Sequence, residues 1–369
     1  MLRRRAFVGP GMRLLELQVR HLRSFGETRV ELAPGINVFH GPNGAGKTTL
    51  LEAVFLLSHG RSFRSGAREA LLQRGAEGFT VFAEWEAADG WRHRLGLGRE
   101  KSRWEARLDG ELVSLGTLVR HCAVICFEPG SHALIAGGAE ERRRYLDWGV
   151  FHVEQDFLAP WRRYQRALKQ RNALLRAGTG APAEYLPWES ELADCAEAID
   201  AARRRYLDLL RPELVAAMQG LLPELGEVEL RYRSGWPDGV PLAGHLAAQR
   251  GRDQARGHTG AGSHRADWEL GFAAAPQREH LSRGQEKLTA LGCLLAQAAL
   301  YARLRGEWPV ICLDDLASEL DGPHQQAVVD RLVAAGAQVL VTGTELPPAL
   351  APLAARVFHV EQGRVAGLL

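Results

Sequence analysis

The segment from Gly41 to Thr48, GPNGAGKT, has the residue types that hold the phosphates of a nucleotide. Glycines let the backbone wrap around a phosphate with its amides pointing inward, and the N-terminus of a following helix attracts the same anion. In such a loop Lys47 reaches the β- and γ-phosphates, and the Thr48 hydroxyl holds Mg²⁺. The predicted phosphate-binding residues are Gly41, Pro42, Asn43, Gly44, Ala45, Gly46, Lys47, Thr48 and Thr49.

Two adjacent carboxylates, Asp314 and Asp315, follow the apolar run VICL. An apolar run of this length predicts a buried strand, and ligands bind at the carboxyl ends of parallel strands. Asp314 therefore fits a carboxylate that holds Mg²⁺ together with Thr48. Asp315 fits the general base that activates the attacking water, so the predicted catalytic residues are Asp315 and Lys47.

A third motif, LSRGQ, opens a long apolar helical pattern. Alone it is weak, because a serine at the N-cap of a helix explains it structurally. Its position between the glycine loop and the paired carboxylates makes it specific. This order of motifs, completed by Ser318–Asp321, is that of ABC-type ATPases, whose heads pair so that the signature of one contacts the ATP of the other. The signature adds nucleotide-binding residues Ser282, Arg283, Gly284 and Gln285.

The chain resembles the RecF family of recombinational-repair ATPases, which have SMC-like heads. The segments that carry the resemblance are Leu22–Phe25, Gly41–Thr48, His59–Ser65, Arg142–His152, Leu168–Arg176, Leu281–Gln285, Asp314–Asp321 and Phe358–Val365. It implies that Arg23 and Arg64 also bind the nucleotide. It further implies an ATP-dependent homodimer that clamps duplex DNA or a single-strand/duplex gap junction. The implied partners are single-stranded DNA, a RecR-type mediator and a recombinase.

Three departures from ordinary ABC ATPases predict slow, DNA-stimulated hydrolysis. Asp315 stands where a catalytic glutamate is usual, and it is one methylene shorter. Thr342–Thr344 stands where a switch histidine is expected, and no glutamine lies in residues 127–138. These departures fit a protein that uses ATP mainly to dimerise. A purely non-catalytic binding switch therefore stays open as an alternative.

The elements that must position these motifs form an α/β, ABC-type ATPase head interrupted by a mainly helical domain. Apolar patterning predicts strands at 36–40, 310–313 and 338–341, helices at 50–57 and from 283 to 303, and a hairpin at 358–365. Long helical patterns cover 140–177 and 189–219, and the segment 250–264 looks like a mobile linker. The predicted divisions are a tail at 1–11, the head at 12–136 and 263–369, and the helical insert at 137–262.

Two groups of basic residues could bind DNA phosphates. Residues 157–183 contain no acidic residue, and an arginine triplet precedes them. The candidate residues are Arg162, Arg163, Arg166, Lys169, Arg171, Arg176, Arg142, Arg143 and Arg144. Both groups also fit a solvated helix face or arginine stems that cover a core. Arg142 or Arg143 could instead fix the helical domain onto the head.

Composition excludes some classes of protein and leaves two alternatives. The hydrophobic fraction is 46%, and no run is long enough for a membrane helix. The five cysteines lack a Cys-x-x-Cys pair, which favours reduced thiols and the cytoplasm. In a transporter ATPase subunit the phosphate loop and the signature would lie closer together in the sequence. Such a subunit would also have the switch histidine that this chain lacks. An SMC-like DNA tether would need long heptad arms between the motifs, which are absent.

Overall fold

The computed structural model describes residues 12–64, 68–87, 89–101, 103–178 and 181–367. The chain divides into two compact units, Met1–Ser131 with Leu291–Leu369 and His132–Ala290. The predicted tail, residues 1–11, lies outside the described residues. The second unit extends beyond the predicted insert, 137–262, because residues 267–272 pair as a strand with residues 228–233.

The described residues form strands in both units. In chain order they are β1 (Arg13–Leu22), β2 (Phe25–Glu31), β3 (Ile36–His40), β4 (Gly78–Glu86), β5 (Arg92–Glu100), β6 (Arg103–Leu108), β7 (Glu111–Val113), β8 (Val124–Phe127), β9 (Val228–Arg233), β10 (Asp267–Phe272), β11 (Val310–Leu313), β12 (Val339–Gly343), β13 (Ala354–Glu361) and β14 (Arg364–Gly367). The helices are α1 (Lys47–His59), α2 (Leu115–Arg120), α3 (Ala133–Ala136), α4 (Ala139–Val153), α5 (Leu158–Ala177), α6 (Pro182–Leu221), α7 (Leu242–Arg256), α8 (Arg283–Arg305), α9 (Leu316–Glu319) and α10 (Gly322–Ala334).

The first unit contains two sheets. One is antiparallel, in the order β2-β1-β4-β5-β6-β7, and the other has the order β14-β13-β3-β12-β11-β8. In the second sheet β13, β3, β12, β11 and β8 are parallel neighbours. Strands β8, β11 and β12 are buried along their whole length, as expected for parallel strands covered on both faces. The parallel arrangement brings the ends of β3 and β11 to one edge.

Buried Gln338, just before β12, joins the two sheets. Its Oε1 accepts a 2.7 Å hydrogen bond from the Leu14 amide of β1. Its Nε2 donates to the carbonyls of Leu14 at 2.9 Å and Ala33 at 2.7 Å. A buried amide with these partners is satisfied at both ends, so it fixes the antiparallel sheet against the parallel sheet.

The second unit is built mainly from helices. Helix α6 is 40 residues long despite Pro187 and Pro212, and α5 and α7 pack against it. Strands β9 and β10 form a two-stranded antiparallel sheet that contacts α6 and α4. No described helix combines the length and the apolar character needed to cross a membrane.

Most predicted elements of the head are confirmed, including β3, β11 and the terminal β13–β14 hairpin. The predicted mobile linker at 250–264 is wrong. Helix α7 continues to Arg256, and Thr259 and Ser263 beyond it are buried and hydrogen-bonded to other parts of the unit. Glycines at 257, 260 and 262 suggested mobility but instead allow a tight, ordered turn.

Candidate nucleotide site

The phosphate loop lies between β3 and α1, and two of its glycines are required by their surroundings. Gly41 has a φ of 149°, and a Cβ there would lie 2.1 Å from the Val360 carbonyl oxygen. Gly46 has a φ of 113°, and a Cβ would lie 2.8 Å from the Phe25 ring. Both positions exclude a side chain, so the loop can approach β13 and the β1–β2 turn closely.

Lys47 is the first residue of α1, and its ammonium group is held inside the loop. Its Nζ donates hydrogen bonds to the carbonyl oxygens of Gly41 at 2.7 Å and Pro42 at 2.9 Å. Burial lowers the pKa of Lys47, while the nearby Asp315 and Asp314 carboxylates act in the opposite direction. An anion entering the loop would strengthen the charged form of this lysine.

Asp314, at the end of β11, accepts hydrogen bonds from two hydroxyl groups. Thr48 Oγ1 donates to Asp314 Oδ1 at 2.9 Å, and Thr342 Oγ1 donates to the same oxygen at 2.6 Å. Burial raises the pKa of Asp314, and the two hydroxyl groups partly offset this effect. The parallel sheet thus brings together the two predicted metal-binding residues, Thr48 and Asp314, although they are distant in sequence.

Asp315 follows directly with a left-handed backbone, φ 52° and ψ 42°. Its amide donates a 2.9 Å hydrogen bond to Thr342 Oγ1. The Thr342 hydroxyl therefore links both carboxylate residues, a role that sequence reasoning missed. Only the absence of a histidine after β12 had drawn attention to this position.

Arg23 and Arg64 are organised by Glu52, a fully buried carboxylate on α1. Arg23 donates to both Glu52 oxygens, at 2.5 and 2.6 Å, and Arg64 lies 3.9 Å from the same group. The Ser62 hydroxyl also donates to Glu52. Sequence analysis missed Glu52, although an acidic residue within the apolar run LLEAVFLL is a signal that a buried partner exists.

These residues surround a cavity of about 280 Å³. The predicted nucleotide-binding and catalytic residues that line it are Arg23, Asn43, Gly44, Ala45, Gly46, Lys47, Thr48, Thr49, Arg64, Asp314 and Asp315. The cavity presents a lysine and two arginines beside a hydroxyl–carboxylate pair. That combination suits a polyphosphate with a hard divalent cation.

The signature residues form a capping box at the start of α8. The Ser282 Oγ accepts from the Gln285 amide at 3.3 Å, and the Gln285 side chain accepts from the Ser282 amide at 3.0 Å. Ser282, Arg283 and Gly284 are exposed. The local geometry therefore agrees with a structural role of Ser282 as an N-cap. It leaves the N-terminus of a 23-residue helix at a surface.

The comparisons with known proteins identify the family. The family described as RecF/RecN/SMC N terminal domain matches residues 13–360. The chain is 50% identical over 363 residues to the DNA replication and repair protein RecF of Xanthomonas axonopodis pv. citri (strain 306), covering 96% of this chain and 98% of that protein. The chain belongs to the RecF family. A RecF protein of Hydrogenovibrio crunogenus is 36% identical over 358 residues, covering 96% of this chain and 98% of that protein.

Solved structures agree with this RecF assignment. The recombination mediator protein RecF with ATP, of the RecFOR pathway, matches with a TM-score of 0.89 at 25% identity and covers 100% of both chains. The Smc head domain of Pyrococcus furiosus matches with a TM-score of 0.58 at 15% identity, covering 97% of this chain and 96% of that one, and it shares the fold alone. The predicted resemblance to RecF and the predicted ABC-type head fold are both confirmed.

The run of basic residues without an acidic one had also suggested DNA contacts on α5, and in the structure these residues lie on different faces of the helix. Arg162, Arg166, Lys169 and Arg176 are exposed and lie within a sector of about 80° around the helix. Arg171 lies on the opposite side and is fully buried, so its prediction as a DNA contact is wrong. Its guanidinium binds Glu189 and Asp253 inside the second unit.

Arg163 is exposed but already paired. It donates to both oxygens of Glu191 at 2.7 Å. Hydrogen bonding to Glu191 raises the pKa of Arg163, and the same bond lowers the pKa of Glu191. The four other exposed cations of α5 make no ion pair among the described residues. We call Arg162, Arg166, Lys169 and Arg176 the α5 stripe.

The three arginines of the triplet on α4 have different partners. Arg142 is buried and bound to both oxygens of Asp267 on β10, at 2.7 and 3.0 Å. Its prediction as a DNA contact is therefore wrong, and it joins α4 to β10 within the second unit. Arg144 is exposed and pairs with Glu140 and Glu141 of its own helix. Arg143 donates only to the Ala266 carbonyl oxygen, at 2.8 Å, among the contacts of the described residues.

Proposed function

We propose that this chain is an ATP-dependent DNA-binding protein of recombinational repair and replication. ATP joins two copies, the dimer clamps duplex DNA or a single-strand/duplex gap junction, and slow hydrolysis resets it. With a RecR-type mediator the clamp helps to load a recombinase onto single-stranded DNA. The contact between Thr48 and Asp314 is the observation that carries the proposal, because a hydroxyl beside a carboxylate at the end of a phosphate loop supports a cation site there.

The donor set fits Mg²⁺. The Thr48 hydroxyl and the Asp314 carboxylate are hard oxygen ligands, and Mg²⁺ commonly takes one or two such ligands together with substrate phosphates and water. When bound there, Mg²⁺ would neutralise phosphate charge. Lys47 would bind the β- and γ-phosphates from inside the loop, and Asp315, one residue beyond Asp314, would take the proton of an attacking water.

Slow hydrolysis follows from the residues that surround the two carboxylates. Asp315 reaches one methylene less far than a glutamate. Thr342 uses its hydroxyl on Asp314 and on the Asp315 amide, so it is engaged with the carboxylates. Without a histidine at this place, catalysis depends more heavily on groups supplied by the partner copy. DNA that stabilises the dimer would then stimulate hydrolysis.

The α5 stripe supports DNA as the ligand of the dimer. Four exposed cations on one helix face suit the regular phosphates of a nucleic acid backbone, and such contacts do not depend on base sequence. Two copies joined by ATP present two stripes to one DNA molecule, which raises the overall affinity. We place this activity in the cytoplasm, together with its proposed DNA substrate.

Binding of a fluorescent gapped duplex, measured with and without ATP, tests the proposal. We expect ATP to raise the affinity of the wild-type chain for this DNA. Lys47→Met, which removes the charge that engages the phosphates, should lose the ATP effect and keep the weaker ATP-independent binding. Equal DNA affinity with and without ATP in the wild type would contradict the clamp.

A further inference from the structure

A cavity of about 260 Å³ lies within the second unit, between α4, α5 and α6 and the turn at residues 263–265. Its charged lining consists of Glu140, Arg143, Arg144, Asp147 and Arg203. At about 30 Å³ per water molecule, the cavity has room for a group much larger than one water. The charges on its walls therefore determine which kind of ligand it can bind.

Both carboxylates of the lining are already matched by an arginine. Asp147 binds the buried Arg203 through two hydrogen bonds, at 2.8 and 3.1 Å. Glu140 binds Arg144, which also binds Glu141. Each acidic group of the lining thus contacts an arginine, and Glu140 shares its arginine with Glu141. The remaining charged group is Arg143.

Arg143 has no carboxylate oxygen within 4.0 Å in the part of the chain that the structure describes. It is half-buried, and within the described residues it donates to the Ala266 carbonyl oxygen alone. Burial lowers the pKa of Arg143, and the nearby positive charge of Arg203 acts in the same direction, whereas nearby carboxylates, chiefly that of Asp267, act in the opposite direction. A guanidinium has five N–H donors and stays charged, so Arg143 can donate further hydrogen bonds to an anion that enters the cavity.

The other polar wall of the cavity is neutral. His264 Nε2 donates to the Thr259 carbonyl oxygen at 3.0 Å, and its Nδ1 accepts from the Tyr164 hydroxyl at 2.6 Å. Burial lowers the pKa of His264 to about 4, so the ring is uncharged at neutral pH. The charged lining, three arginines and two carboxylates, therefore has a net charge of one positive.

The cavity adjoins the α5 stripe. Trp161 and Gln165, which line it from α5, are the immediate neighbours in sequence of Arg162 and Arg166. We propose that Arg143 binds one backbone phosphate of the DNA that lies along the α5 stripe. A phosphodiester carries one negative charge, which matches the one excess positive charge. This inference rests on the proposed DNA-binding function and adds a specific phosphate site to it.

The test is the salt dependence of gapped-duplex binding in the presence of ATP. A plot of log K against log[salt] has a negative slope, and each lost phosphate contact makes it less steep by about 0.9. At 0.1 M salt this corresponds to an affinity about eight-fold weaker. We expect this change for Arg143→Gln, whereas Arg143→Lys should keep the slope. Arg205→Gln is the control, because Arg205 is an exposed arginine of the same unit, paired with Glu154, and lies outside the cavity lining. It should leave the slope unchanged.

A second variant changes the net charge of the cavity without altering Arg143. Gln165→Glu places a carboxylate in the cavity from an exposed position on α5, so it supplies a counter-charge with little risk to folding. It should make the slope less steep, as Arg143→Gln does. Unchanged slopes in both variants, with normal ATP-dependent binding by the wild type, would overturn the phosphate site alone. A wild type that fails to bind DNA with ATP would overturn the proposed function itself.

Inorganic phosphate separates a DNA phosphate from a free one. We expect millimolar phosphate to leave the melting temperature of the wild type and of Arg143→Gln equally unaffected, because the DNA backbone supplies the remaining contacts. Phosphate that stabilises the wild type but not Arg143→Gln, with no change in the DNA slope, would assign the cavity to a free anion and overturn the DNA assignment.

Discussion

The Thr342 hydroxyl donates a 2.6 Å hydrogen bond to the Asp314 carboxylate, from the strand next to the one that Asp314 follows. The same hydroxyl oxygen accepts from the Asp315 amide. One side chain thus binds both the carboxylate that is proposed to hold the cation and the backbone of the proposed base. This arrangement explains how Asp315 keeps a left-handed backbone that is uncommon for a residue other than glycine.

Thr342→Val should lower kcat for ATP hydrolysis by about ten-fold, because a lost hydrogen bond to a charged group is worth roughly 1.5–3 kcal/mol. The affinity for ATP without Mg²⁺ should stay close to that of the wild type, since Thr342 does not belong to the phosphate loop. Steady-state hydrolysis and nucleotide titration measure the two effects separately.

Thr342→Ser is the matched control, because it keeps the hydroxyl and removes only a methyl group. Its kcat should lie near that of the wild type. A serine variant as slow as the valine variant would show that packing of the methyl group, and not the hydrogen bond, determines the rate.

Asp315→Asn should slow hydrolysis by about a hundred-fold or more, as expected when a general base is removed. Asparagine adopts the left-handed backbone readily, so the local fold should be retained. With hydrolysis blocked, the variant should accumulate as an ATP-bound dimer, seen by light scattering. Hydrolysis at the wild-type rate would remove Asp315 from the mechanism.

Arg171→Met should destabilise the second unit by about 3–5 kcal/mol, because it leaves Asp253 and Glu189 as buried carboxylates without this partner. Chemical denaturation measures the loss. Arg205→Met, which removes one side of a surface pair, should cost about 1 kcal/mol or less. Below its melting temperature Arg171→Met should still bind DNA, and a specific loss of DNA binding would restore Arg171 as a contact.

The combined replacement of Arg162, Arg166 and Lys169 by glutamine should flatten the salt dependence of DNA binding by about 0.9 per contact. The double variant Arg163→Gln/Glu191→Gln is the control, because it removes an ion pair between α5 and α6 and leaves the net charge of the protein unchanged. An unchanged slope in the triple variant would show that the α5 stripe is a solvated helix face that does not contact DNA.

The nucleotide loop and the two carboxylates could be predicted because local patterns dictate them. A glycine loop between an apolar strand and a helix has one favoured geometry, and the short apolar run VICL predicts a buried strand that ends just before Asp314. The partners of these residues could not be predicted in the same way. Glu52 and Arg23 meet through the fold, and Thr342 reaches Asp314 because β12 lies beside β11.

The faces of α5 were open to a sharper sequence analysis. Tyr164, Ala167 and Leu175 are buried with Arg171, and their helical spacing places all four residues on one side. That apolar side indicates an arginine directed into the core, where it needs acidic partners. Its partners Glu189 and Asp253 come from α6 and α7, and nothing local in the sequence identifies them.

If a second copy completes the ATP site, as proposed, then replacing Ser282 should have a distinct effect. Ser282→Arg should leave ATP binding to the monomer nearly intact and abolish ATP-driven dimerisation, because a bulky cation would fill the space of the opposing phosphate loop. Since this change also removes the N-cap, worth about 1 kcal/mol, Ser282→Ala is the control and should still dimerise, though more weakly.

The most direct measurement is the molar mass, by light scattering with ATP, of Ser282→Arg, of Lys47→Met and of their mixture. A mixed dimer has one site with an intact phosphate loop and an intact signature, while the other site carries both lesions. We predict that each variant alone stays monomeric and that dimers reappear in the mixture. Ser282→Arg that dimerises alone with ATP as fully as the wild type would contradict the claim that a second copy completes the site.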